Sequence, residues 1–93
     1  MKDLEWDPRK NEWIIRERGI SFEVIAHQIA AGHVLADLGH PNRKKYPDQR
    51  ILVVELGGVA VVVPYIEDGE RIFLITAYPS REATQHYIKG RRS

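Results

Sequence analysis

The chain has no cysteine, one methionine and only two phenylalanines among its 93 residues. Without cysteine there is no disulfide, no thiol nucleophile and no thiolate metal site, and a reducing cytoplasm is the expected compartment. Long hydrophobic runs are missing too. The start, Met1-Lys2-Asp3-Leu4-Glu5, has no apolar signal core, and the most apolar stretch is interrupted by Glu55, Gly57 and Gly58, so neither export nor a membrane span is predicted. No sign of charge dominates, since the net charge is only +1. Its placement is uneven: basic segments from His40 to Arg50 and from Arg81 to Arg92 flank a mainly acidic middle, and together they would form a surface for phosphate groups. Read blandly, the same charges are a solvated loop and a frayed tail.

What is present is enough for one folded domain. A hydrophobic fraction of 43% and a charged fraction of 29% argue against disorder. At this length one two-layer core is expected over residues 1–93, with any site on its surface, which suits a large substrate or partner. The organising stretch runs from Arg50 to Tyr78. Three β-branched apolar runs are separated by Gly57-Gly58 and by Glu67-Asp68-Gly69, and these separators supply the positive φ angles of tight hairpins. A three-stranded antiparallel meander over 50–78 follows. Its last strand is expected to put Ile72, Leu74, Thr76 and Tyr78 on one face. Its middle strand is apolar on both faces, so a last helix or a partner protein is expected on the second one.

The flanks read as helices. Asp7-Pro8 caps and opens one, ended by Gly19, with Leu4-Glu5-Trp6 before it as a short edge strand. Ser21 caps another, whose buried stripe is Phe22, Ile25, Ala26, Ile29 and Ala30, ended by Gly32. Residues 1–32 are thus helical. Residues 33–49 hold a short strand, Val34-Leu35-Ala36, and a basic loop from Asp37 to Gln49. Residues 79–93 hold a helix capped by Ser80 and a basic tail. The predicted class is α+β, with N-terminal helices and a C-terminal helix packed on an antiparallel sheet.

Leu4-Glu5-Trp6-Asp7-Pro8-Arg9-Lys10-Asn11, followed by Arg16-Glu17-Arg18-Gly19-Ile20-Ser21-Phe22-Glu23, resembles the opening of BrnT-type toxins of bacterial type II toxin–antitoxin systems. The later course is similar as well, through a strand begun by Arg50, a glycine hairpin and Arg71-Ile72 leading to Thr76-Ala77. The resemblance implies a RelE-like ribonuclease fold, metal-independent endoribonuclease activity with no cofactor, and a cognate antitoxin, DNA-binding and encoded alongside, held in a hetero-oligomer. Arg50 and Arg71 match basic positions of the family. The chain departs from its pattern at Glu17 and Arg18, where the family has Lys and His, and at Tyr78, where it has Arg.

Metal-free RNA cleavage needs a base for the 2′-hydroxyl, a cation for the charged phosphorane and an acid for the leaving oxygen. Arginine suits the cation because its planar fork meets phosphate oxygens in pairs. The catalytic candidates are Arg50, Tyr78, Arg81 and His86. His40, Arg43, Lys44, Lys45, Arg71 and Lys89 are the candidates for holding RNA. Each also reads as an ordinary surface or packing residue, Tyr78 as an aromatic lid and Arg71 as a partner for nearby carboxylates. His27 and His33 lack the spacing of a zinc site, and no metal site is predicted. Two functions stay open: an RNA-cleaving toxin, and a catalytically degenerate module that keeps the fold and binds an antitoxin or nucleic acid.

Overall fold

The computed structural model describes residues 3–91. The chain starts with strand β1 (Asp3–Trp6) and helix α1 (Pro8–Arg18). Asp7 Oδ1 accepts the Arg9 N–H at 2.9 Å, Pro8 opens the first turn, and Gly19, at φ 69°, closes the helix by donating to the Ile15 carbonyl. Helix α2 (Phe22–Ala30) follows directly, capped by Ser21 Oγ. The corner between them is fixed by Asn11, which is buried. Its Oδ1 accepts the Phe22 N–H at 2.8 Å and its Nδ2 donates to Glu23 Oε1 at 2.7 Å. In the expected stripe Phe22 and Ile25 are fully buried, Ala26 and Ile29 are partly so, and Ala30 is exposed.

The remaining elements are β2 (Val34–Gly39), β3 (Gln49–Leu56), β4 (Val59–Asp68), β5 (Arg71–Leu74), β6 (Tyr78–Pro79) and α3 (Arg81–Tyr87), with a 3-10 turn at Lys89–Arg91. The strands form a single sheet in the order β1-β5-β4-β3-β2, with β6 joining β4. The sheet is not purely antiparallel. β1 pairs with β5 in parallel, because the chain crosses from one to the other through both helices and three strands instead of a hairpin. β2 is also longer than expected: Asp37, Leu38 and Gly39 pair with Leu52, Ile51 and Arg50, leaving 40–48 as the loop.

Both hairpins form. Gly57 and Gly58 have φ of 58° and 82°, the pair of positive angles a two-residue turn between β3 and β4 requires. The second turn sits one residue later than its Asp-Gly signal, with Gly69 and Glu70 as the loop and Asp68 still paired to Arg71.

The largest departure concerns the last expected strand. It does not run unbroken from Arg71 to Tyr78. Pro64 accepts the Ile75 N–H at 2.9 Å but has no N–H to return, so pairing lapses after Leu74. When it resumes, Tyr78 stands opposite Val62, where an unbroken register would put Ala77. One extra residue is accommodated, which is a bulge, and alternation inverts beyond it. Ala77 joins Leu74 in the buried interior, and Tyr78 points to the opposite face.

The sheet is covered on both sides. α1 and α2 bury Ile14, Phe22 and Ile25 against Leu52, Val54, Val61, Val63 and Leu74. On the other face Ala83, Tyr87 and Ile88 pack on Ile51, Val53, Ala60 and Val62, so the last helix supplies the expected second cover. Thr84 locks it down: its Oγ1 accepts the Ala60 N–H at 2.9 Å and donates to the Ser80 carbonyl at 2.6 Å. Thr84→Val keeps the shape and leaves the buried Ala60 N–H without a partner. Its expected cost is about 1–3 kcal/mol in urea denaturation; a loss below about 0.5 kcal/mol would show that the clamp contributes nothing to stability. Among the described residues, no helix is long and apolar enough to cross a membrane.

Candidate functional site

α3 has only seven residues and leaves part of its face of the sheet open. The opening is a groove of about 450 Å3. Leu38, Ile51, Val53 and Val62 form its floor, and Tyr78, Ser80, Glu82 and His86 bring polar groups to its rim. Tyr78 is there because of the bulge, and His86 because it lies on the same side of α3 as Ala83 and Tyr87. The His86 imidazole meets the Tyr87 ring edge-on, with centroids 4.6 Å apart.

Arg18 completes this neighbourhood from the opposite layer. From the last turn of α1 its Nη1 donates to the Ala77 carbonyl at 2.8 Å and to Thr76 Oγ1 at 3.1 Å. Its guanidinium carbon lies 4.6 Å from the centroid of the Trp13 ring and 5.8 Å from that of Tyr78. A cation held by the backbone and two aromatic faces keeps its place beside the phenol. Lys10 Nζ lies 4.3 Å from the Trp13 ring centroid, so positive charge and aromatic surface alternate from α1 to the groove rim.

Arg50 is elsewhere. It stands opposite Tyr65 and shares a strand face with Leu52, on the α1/α2 side of the sheet, whereas the groove floor uses Ile51 and Val53. Arg50 Nε donates to Tyr65 Oη at 3.1 Å and to Asp37 Oδ1 at 3.3 Å, and Nη2 reaches the Asp37 carbonyl at 3.4 Å. The Tyr65 hydroxyl in turn donates to Asp37 Oδ1 at 2.6 Å. The Tyr65 hydrogen bond, followed by the Asp37 charge, raises the Arg50 pKa further above its ordinary value. Burial, reinforced by the bond to Asp37, raises that of Tyr65 against the opposing pull of Arg50, so the phenol stays protonated at neutral pH and acts as a donor.

The other candidates are dispersed. Arg81 and Lys89 line a separate depression of about 370 Å3 with Gln85, on another side of α3 from His86. Arg71 pairs with Glu5 at 3.3 Å, on the far side of β4 from the basic loop. Within that loop Arg43, Lys44 and Lys45 are exposed. His40 is partly buried on Tyr46, with ring centroids 4.6 Å apart, and its Nδ1 accepts the Asn42 N–H, so it organises the loop. Of the basic tail, Arg92 and Ser93 lie outside the described residues. No group of three or more His, Asp or Glu suited to a metal ion occurs among the described residues.

The fold thus brings Tyr78 and His86 together and keeps Arg50 and Arg81 apart from them. Three residues of these clusters had no role in the sequence reading. Arg18 stood out only as a departure from a family pattern, and as the last residue of a helix it reads as a partner for the helix dipole. Asp37 read as loop. Tyr65 carried one usable signal: alternation puts it on the same face as Val61 and Val63, and a buried tyrosine hydroxyl needs a partner. Compared with protein-family models, curated proteins and solved structures, the chain finds no match.

Proposed function

We propose that this chain is a metal-independent endoribonuclease of the BrnT type, with a RelE-like fold, acting as the toxin of a toxin–antitoxin pair. The observation that carries the reading is the meeting of Tyr78 and His86 at the rim of one open groove, with the Arg18 guanidinium carbon 5.8 Å from the centroid of the Tyr78 ring. These are the residue types that cleavage through the 2′-hydroxyl requires. Tyr78 and His86 exchange protons with the attacking and leaving oxygens, and the uncommitted N–H groups of Arg18 stabilise charge on the phosphorane. An exposed phenol and an exposed indole, with cations laid on them, suit the bases and backbone of single-stranded RNA. Arg81 and Lys89, in the adjoining depression, extend the positive surface along the strand.

The test is direct. Purified protein, freed of any partner, is expected to cut single-stranded RNA in EDTA and leave cyclic-phosphate or 3′-phosphate ends beside 5′-hydroxyls. Intact RNA after prolonged incubation would reject the reading.

A second reading draws on the apolar floor of the same groove, where Leu38 remains 44% exposed. A degenerate module would use that floor to hold apolar side chains of an antitoxin. It predicts a tight complex with the product of a neighbouring gene and no growth arrest when the chain is expressed alone.

A further inference from the structure

We propose that Arg43 and Arg50 form a two-pronged phosphate-binding site at the rim of the α1/α2 face of the sheet, separate from the Tyr78–His86 groove, in which Asp37 and Tyr65 set the direction of the Arg50 guanidinium.

The geometry starts at Gly39. Gly39 and Arg50 are cross-strand partners in β2 and β3, so a side chain at 39 would project from the same face as Arg50, about 5 Å away. That space is taken by Arg43. A Cβ on Gly39 would stand 2.6 Å from Arg43 Nη2, 3.1 Å from Nε and 3.2 Å from Cζ. The Arg43 guanidinium therefore folds back from the loop onto the glycine, on the face from which Arg50 projects. Among the described residues it has no hydrogen-bond or ion-pair partner. A planar cation lying against backbone with its donors free is arranged to receive an acceptor.

Arg50 is the anchored prong. Its Nε and Nη2 are committed to Tyr65 and Asp37, which leaves Nη1 and one half of the fork open, on a side chain that is 46% exposed. Asp37 is the carboxylate in contact with the cluster, and the Tyr65 hydroxyl donates to it as well as Arg50. The two arginines outnumber that single negative charge, and Lys44 and Lys45 add to the surplus from the same loop. One fixed and one adaptable guanidinium suit a tetrahedral anion, since each presents N–H donors to a pair of phosphate oxygens.

Two sources of phosphate share this chemistry: the backbone of a polynucleotide, and free phosphate or a mononucleotide. The proposal rests on the nuclease reading only for the first source, where the site would grip the strand away from the bond being cut. The test is NMR of the arginine Nε–H signals in the full chain. One titration uses inorganic phosphate and the other a short single-stranded oligoribonucleotide with 2′-O-methyl sugars, which cannot be cleaved by 2′-hydroxyl attack. Shifts at Arg43 and Arg50 with both probes are expected. Arg43→Ala should weaken oligonucleotide binding about tenfold, and lower its dependence on log salt by about one. Gly39→Ala, which displaces only the end of a flexible side chain, should weaken binding several-fold with an unchanged unfolding midpoint.

Shifts with phosphate alone support the site and assign it to free phosphate or mononucleotides. Unshifted Arg43 and Arg50 signals with both probes, or Arg43→Ala and Gly39→Ala proteins that bind like the wild type, overturn it. The probe does not react, so the two proposals fail separately. Binding without cleavage of natural RNA rejects the nuclease and keeps the site, while cleavage with unaffected Arg43 and Gly39 variants rejects the site alone.

Discussion

Phe22→Ala is expected to remove about 3–5 kcal/mol of stability, a large share of the roughly 5–15 kcal/mol that holds a domain of this size together. Phe22 is fully buried, and its ring stacks on Trp6 with centroids 5.6 Å apart. It joins three elements at once: α2, which carries it; β1, through Trp6; and the β3–β4–β5 interior, where it packs with Val54, Val61 and Leu74. Its own N–H also donates to Asn11 Oδ1. Truncation leaves a cavity at the point where the first helical corner meets the sheet, and neighbours fixed by backbone pairing cannot collapse into it. Denaturant unfolding followed by tryptophan fluorescence measures the loss. Val24→Ala on the same helix, at a position 45% exposed, is the comparison and should stay within about 0.5 kcal/mol. A Phe22→Ala loss as small as that would mean that the corner contributes little to holding the helices on the sheet.

The second large effect is on activity and rests on the proposed nuclease chemistry. Tyr78→Phe and His86→Gln should each lower the RNA cleavage rate by about 10²–10⁴, the contribution of a positioned acid or base. Tyr78→Phe keeps the ring beside Arg18 and removes only the hydroxyl. Both side chains stand at the groove rim away from the buried interior, so the unfolding midpoint should hardly move. If the two act as one unit, the double variant will be little worse than either single one. Fall in kcat with KM unchanged marks a role in the reacting complex, whereas a rise in KM alone marks RNA binding. Two folded variants that both cut RNA at the wild-type rate would move the reaction centre out of this groove.

These two results probe features of different legibility. The helices could be read locally. Asp7-Pro8, Gly19 and Ser21 act on backbone groups within a turn of themselves, and the structure places the caps and ends as those residues dictate. The paired glycines at 57 and 58 did the same for the first hairpin. Phe22 belonged to a stripe of helical spacing and was legible as core. That Asn11 would be buried against the next helix was not, because its partners are 11 and 12 residues away.

Tyr78 shows where such reading stops. Its strand face follows from period-two alternation only while the register holds, and the register is broken by Pro64, which lies on another strand. A missing N–H on the neighbour moves the phenol to the other side of the sheet. The Arg50 cluster is nonlocal in the same way. Asp37, Arg50 and Tyr65 come from three strands, and nothing short-range marks Asp37 as a strand residue or Gly39 as the seat of a guanidinium.

Residue chemistry alone therefore settled the helices, their caps, the first hairpin, the apolar central strand and the need for cover on both of its faces, because these depend on φ, ψ and hydrophobic spacing within a few residues. Tertiary structure decided the parallel edge strand, the bulge that turns Tyr78 toward His86, and the division of the candidate arginines between two faces and a depression beside α3. Those outcomes depend on register between strands, and register is set by hydrogen bonds between residues far apart in the chain.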